Sequence, residues 1–241
     1  MMQPYFFPYL GYFALIRATD RWVVFDTPQY IRRGWVNRNR VLSSGQPDWK
    51  YVRVAVSKAP QATPISRMQV ADRAGIFASV VQCLDDYRCR KAPFYLETMR
   101  LLNDCLDDPP GDLPSFLVSC LHKTCHHLGL RFEPQLYSDL PMTMSVNSKP
   151  GDWALATAIH LDATEYINPP GGRDLFDVRA FNAAGIQLSF LNHRLPRYSQ
   201  SQSEFVSGLS IIDVLMWNGR DSTRRMVDDY QINTIGAAAA A

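Results

Sequence analysis

The first 26 residues set out an aromatic, proline-broken loop, a helix and a buried strand, an order that few folds accommodate. Residues 10–18 place apolar side chains at helical spacing, and Thr19-Asp20 ends the run. Trp22-Val23-Val24-Phe25 is then a continuous apolar segment of the kind a parallel sheet buries on both faces. Loop, helix and strand make most of a βαβ unit. The strand that should precede the loop is missing or very short, because Gln3-Pro4 comes almost at once.

The rest of the chain extends this pattern with an interruption. Residues 49–56 read as a strand rich in β-formers. Residues 72–89 read as a helix with Asp72 as its N-cap, a second helix follows Pro93, and a third spans 113–128 and is closed by Gly129. Asp107-Asp108-Pro109-Pro110-Gly111 separates the last two. Short strands are expected at 131–137 and 142–146, and a helix at 152–161. Beyond them strand 165–167, turn, helix 175–184 and strand 186–191 repeat the parallel-sheet signal, and 204–217 reads as a final helix. The expected fold class is α/β, a Rossmann-like parallel sheet with a helical middle section, whose opening and last units lie side by side. Residues 1–235 are expected to form one domain with a helical insertion at about 72–130, and 236–241 are an uninformative alanine tail.

Composition removes several function classes. With 46% hydrophobic and 20% charged residues the chain has the makeup of a globular domain. A net charge of +2 gives no general nucleic-acid footprint, so no nucleic-acid partner is expected. No apolar run is long enough for a membrane span. The N-terminus lacks a signal-peptide pattern, and five irregularly spaced cysteines favour reduced thiols and a cytoplasmic location.

Five groups of residues can carry chemistry. Tyr5, Phe6, Phe7, Tyr9, Tyr12 and Phe13 could wall a sugar ring, a base or a thioester arm, with Gln3 reading an amide or hydroxyl; core packing is the plain alternative. In Arg32-Arg33-Gly34-Trp35-Val36-Asn37-Arg38-Asn39-Arg40, an extended backbone puts Arg38 and Arg40 opposite Asn37 and Asn39. Such a face suits a diphosphate or a phosphopantetheine, or is simply a solvated edge strand. Asp26 closes the first strand and could take a proton from an amine or orient Gln29 and Arg38; its alternative is an ion pair with an arginine. Gly171, Gly172 and Arg173 precede a helix and could receive an anion, or form an ordinary turn. His193 would share a strand-end rim with Tyr198 and Gln200, which makes it the other general-base candidate beside a purely structural histidine.

Three further signals are set aside. His122 and His126 fall on the polar side of their helix while Cys120 joins the apolar stripe, so no metal site is expected. No cysteine has a histidine partner in sequence. Ser210 and Asp213 fit helix capping and packing better than a hydrolase triad.

Gln3 to Phe13, then Asp20, Asp26, Gln29, Gly34-Trp35 and Asn37 to Arg40, together resemble the opening of the WbqC-like proteins. The resemblance continues through Tyr87, Lys91-Ala92-Pro93-Phe94, Pro170-Gly171-Gly172-Arg173, Pro196 to Gln200, Leu209 to Leu215 and Asn218-Gly219. It implies a place in O-antigen and other surface-polysaccharide or specialised-metabolite biosynthesis, and transfer of a glycyl or other aminoacyl group onto an amino sugar or related amine. It implies no bound cofactor, with a phosphopantetheine or coenzyme A thioester as donor, an amine or amino-sugar nucleotide as acceptor and an acyl carrier protein as candidate partner. Ala74-Gly75-Ile76-Phe77 stands where some such proteins carry a Lys-His pair. Nucleotidylyltransferases with a His-x-Gly-His signature open similarly, but here Pro8-Tyr9-Leu10-Gly11-Tyr12 holds neither histidine. The alternatives are therefore a nucleotide- or nucleotide-sugar-binding enzyme with nucleotidyl or phosphoryl chemistry, and a non-catalytic partner in a biosynthetic complex.

Overall fold

The computed structural model describes residues 1–145, 148–202 and 204–235. In chain order its elements are α1 (Leu10–Arg17), β1 (Trp22–Val24), β2 (Arg38–Leu42), β3 (Trp49–Arg53), α2 (Ile76–Cys83), α3 (Asp85–Cys89), α4 (Tyr95–Leu106) and α5 (Leu113–His127). There follow β4 (Pro134–Leu136), α6 (Pro150–His160), β5 (Glu165–Asn168), α7 (Val178–Ala183), β6 (Gln187–His193), α8 (Ile211–Val227) and β7 (Tyr230–Thr234). The fold is mixed α/β with small sheets, and the chain divides into two compact units.

The larger unit, Met2–Asp139 with Leu195–Asp228, is organised around α1 and α8. In α1 every residue from Leu10 to Ile16 is buried. β1 pairs in parallel with β4, and Met2 adds a one-residue parallel bridge on the other side, its N–H donating to the Val23 carbonyl at 3.0 Å. The strand expected before the aromatic loop is thus this single bridge. β2 and β3 form an antiparallel hairpin whose inner face carries Asn39, Val41 and Val52. α5 starts on an Asp112 cap that accepts from the Ser115 N–H at 2.9 Å, and Gly129 ends it with φ +66°. α8 starts on Ser210, whose hydroxyl accepts from the Ile212 N–H at 3.2 Å. It kinks at Gly219, where φ is +66° and the Phe94 ring lies where a Cβ would be.

Among the described residues the smaller unit comprises Met1 and those of 140–194 and 229–235. Its sheet runs β5-β6-β7, parallel in the first pair and antiparallel in the second, and Phe181, Leu188 and Phe190 lie at the centre of its core.

Several expectations need correction. The small sheets do not establish a Rossmann-like arrangement: among the described residues β1 pairs with β4 and Met2, and β5 and β6 are completed by β7, so opening and last strands belong to separate sheets. The helix read over 72–89 breaks at Leu84 into α2 and α3, preceded by a 3-10 turn at Arg73–Gly75. The helix read from 204 begins only at Ile211, because Gly208 adopts φ +66° and Ser210 is an extended cap. Residues 142–145 are not a strand, and Val146, the end of that expectation, lies outside the described residues, as does the alanine tail.

Candidate functional site

In the larger unit the chain after Asp26 and the chain around Thr63 are stitched together. The Tyr30 N–H donates to the Thr63 carbonyl and the Ile65 N–H to the Pro28 carbonyl, both at 2.9 Å, and the Gln29 amide donates to the Gln61 carbonyl at 2.8 Å. The β2–β3 hairpin adds Arg38 and Arg53, which face each other in register. Together these segments enclose a cleft of about 370 Å³ lined by Tyr30, Arg32, Arg33, Arg38, Arg53 and Lys58 among others, with no carboxylate and no histidine in its lining. Among the described residues none of these five cations makes an ion pair.

Like charges directly opposite each other on a hairpin are unfavourable, so their clustering needs a compensating anion or solvent. Arg38 is held in place: its Nε donates to the Gly34 carbonyl at 3.0 Å, it also bonds the Arg33 carbonyl, and its guanidinium lies 3.9 Å from the Tyr51 ring centre. Asn37 lines the same cleft and donates to the Val54 carbonyl at 2.8 Å. Burial pushes the Tyr30 phenol up, with Arg38 and Arg32 acting against it.

The aromatic loop is mostly core. Phe6, Phe7, Tyr12 and Phe13 are buried, and the Tyr12 hydroxyl donates to the Gln3 carbonyl at 2.8 Å. Phe7 has φ +40°, and its carbonyl is fastened by the Asn39 amide at 2.9 Å and the Ser210 hydroxyl at 2.6 Å. Tyr5 and Tyr9 are half-buried. The Tyr9 ring lies over Gly11, so close that a Cβ there would sit 2.6 Å from it, and the Ile211 N–H donates to the Pro8 carbonyl at 2.9 Å. The first turn of α1 is therefore covered by protein.

A second constellation centres on Asp213, which is fully buried in the first turn of α8. One carboxylate oxygen accepts from the Tyr87 hydroxyl at 2.6 Å; the other accepts from the Tyr198 hydroxyl and, at 3.1 Å, from the Gln200 amide. Tyr87 in turn accepts from the Leu42 N–H at 2.8 Å. Burial pushes the Asp213 carboxyl up to about 6, although these donors and the Trp217 indole favour its charged form. Tyr87 and Tyr198 are pushed up by the same burial. This hub joins α3, β2, the segment before α8 and α8 itself. It therefore gathers Tyr87, Tyr198, Gln200 and Asp213 from three of the sequence motifs singled out above, while Ser210 and Asn39 bring the aromatic loop to the same helix start.

Asp26 lies at the end of β1, and both its oxygens are engaged by Ser138, from the N–H at 3.0 Å and the hydroxyl at 2.7 Å. The carboxylate thereby joins the ends of β1 and β4. The remaining candidates belong to the smaller unit. Gly171, Gly172 and Arg173 sit in a 3-10 turn at Pro170–Leu175, where the Asn168 side chain takes the space of a Gly172 Cβ. The Arg173 guanidinium stands 5.1 Å from the Phe190 ring centre. His193 is the last residue of β6, opposite Tyr230, while Tyr198 and Gln200 belong to the larger unit. Among the described residues no three His, Cys, Asp or Glu side chains cluster to hold a metal, and no helix is long and apolar enough to cross a membrane.

Sequence reasoning reached the arginine segment but missed Arg53, Lys58 and Tyr30. Counting charge in a window would have found them: residues 27–71 hold eight Lys and Arg and one carboxylate, Asp48, in a chain of net +2. Asp213 left no such signal, since its partners Tyr87 and Tyr198 are 126 and 15 positions away.

Compared with known proteins, residues 3–225 match the WbqC-like protein family. The "Uncharacterized protein Rv1507c" of Mycobacterium tuberculosis (strain ATCC 25618 / H37Rv) is 26% identical over 242 residues, covering 92% of this chain and 94% of that protein. No solved structure matches the chain significantly.

Proposed function

Since the chain belongs to the WbqC-like protein family, we propose that it is an acyltransferase whose larger unit holds a phosphate-bearing substrate in the arginine cleft. The acyl group, glycyl or another aminoacyl, passes to an amine of a sugar or related small molecule in polysaccharide or specialised-metabolite biosynthesis. The observation that carries this reading is the set of five cations, without an ion pair among the described residues, around a cleft lined by no carboxylate. Guanidinium groups bind phosphate oxygens through paired N–H donors, and a group fixed at its phosphate end delivers its reactive end at high effective concentration. The cleft lining has no histidine or carboxylate, so it binds and orients; the attacking amine's proton goes to a base outside it. Asp26, with both oxygens on Ser138, serves as a positioning residue for the strand ends that carry the cleft loops.

The nucleotidyl alternative places a phosphate at the start of α1, and that position speaks against it, because Tyr9 and the Ile211 N–H cover the turn. A thermal-shift panel of coenzyme A, an amino-sugar nucleotide and a nucleoside triphosphate with divalent metal separates the readings. A ligand at about 100 times its dissociation constant stabilises by roughly 2.7 kcal/mol, or about 5–10 °C for a chain of this size. The transfer reading expects such a shift with coenzyme A or the amino-sugar nucleotide, reduced in both Arg38→Ala and Arg53→Ala. A shift that requires the triphosphate and metal overturns it.

A further inference from the structure

A single basic segment is weak ground for a polyanionic partner, but folding enlarges it. The outer face of the β2–β3 hairpin interleaves cations and rings. Arg38 lies over Tyr51, and Arg40 stands 5.7 Å from the Trp35 ring centre and 5.3 Å from that of Trp49. Trp49 packs edge-on to Tyr51 at 5.2 Å, and Trp35 tilts against Tyr51 at 6.3 Å. Trp35, a large side chain beside these cations, is 44% exposed. Arg38 and Arg53 belong both to this face and to the cleft, so the two surfaces are continuous.

Charge and shape then select the ligand. The five cations of the cleft exceed what one diphosphate neutralises, so the ligand carries several phosphates. Alternate strand residues recur about every 7 Å, close to the spacing of successive phosphates on an extended nucleic-acid strand. An acidic protein would use the charges but has no need of exposed indole, whereas bases stack on aromatic rings and on guanidinium planes.

We propose that this hairpin face and the cleft it runs into form a binding site for a single-stranded nucleic-acid segment, with phosphates on the arginines and a base on Trp35. In one respect the proposal builds on the transfer reading: a strand whose terminal ribose hydroxyl carries an aminoacyl ester brings the acyl donor with it. The acceptor amine attacks the ester carbonyl, the C–N bond forms, the C–O bond breaks, and the ribose oxygen leaves with the amine's proton. No further reactant is needed.

The test is fluorescence anisotropy with a labelled single-stranded RNA of about 12 nucleotides, set against the matching duplex, heparin, coenzyme A and a nucleoside diphosphate. Expected is binding that weakens with salt at a logarithmic slope of about −2 for three phosphates. Trp35→Ala should lose about ten-fold in affinity or more while its thermal melting stays that of the parent. Absence of binding below roughly 100 µM at low salt, indifference to Trp35→Ala, or equal affinity for duplex and heparin overturns the proposal. Coenzyme A or amino-sugar nucleotide binding without RNA binding sinks this inference and leaves the transferase reading standing; RNA binding by a protein that never forms an amide does the reverse.

Discussion

In the larger unit the five cations around the cleft make no ion pair among the described residues, whereas the one carboxylate of Asp213 accepts from three side chains. The difference follows from solvent. A charge at the surface keeps its hydration, so arginines can crowd at modest cost and stay available to a ligand. A charge in the interior has no such option and must be surrounded by donors. The hub therefore fixes geometry, and the cleft is where, among the described residues, cations are left without a carboxylate partner. Removing a hub residue should show in stability, and removing a cleft residue should show in binding.

Breaking the hub gives the largest effect. Asp213→Ala leaves two buried phenols and an amide without their acceptor and is expected to cost about 3–5 kcal/mol, read as a fall in the urea midpoint with unchanged slope. The pH dependence of stability sharpens the same point. Native Asp213 keeps its proton up to about 6, while the unfolded carboxyl loses it near 3.9. Between those values folding takes up a proton, so this group lowers stability as pH rises from about 4 to 6, by about 3 kcal/mol in all, and is level above. Asp213→Asn removes that slope; a variant whose pH profile parallels the parent's would show that the hub carboxyl does not titrate there.

The cleft gives the converse. Arg53→Ala should weaken binding of a phosphate ligand about ten- to one-hundred-fold, the worth of a charge-assisted hydrogen bond, with unfolding stability within about 0.5 kcal/mol of the parent. Smallest is Ser210→Ala, which removes the α8 cap and the bond to the Phe7 carbonyl. It should cost about 1 kcal/mol, seen as a lowered melting temperature with ligand affinity intact.

Local chemistry was readable from the sequence, and long-range pairing was not. Trp22-Val23-Val24 announced β1 by continuous apolarity, and Gly129 announced the end of α5 because its φ of +66° suits glycine. The β6–β7 pair was missed because Tyr230-Gln231-Ile232-Asn233-Thr234 is a largely exposed edge strand with little apolar signal. The arginine segment was legible as a charge run. Asn39 and Tyr12, in contrast, look like ligand-reading groups in sequence and turn out to be spent on backbone carbonyls of the aromatic loop. Polar residues that hold an irregular loop and polar residues that hold a ligand have the same composition; only the direction of the side chain separates them.

The most direct test is isothermal titration of the chain with coenzyme A and with an amino-sugar nucleotide, at low and high salt, in the parent and in an Arg38→Ala, Arg53→Ala double variant. Expected is binding to one of them that weakens with salt and falls about 100-fold or more in the double variant while the fold stays intact by circular dichroism. Equal affinity in parent and double variant would contradict it, since the phosphate would then be held somewhere other than the arginine cleft.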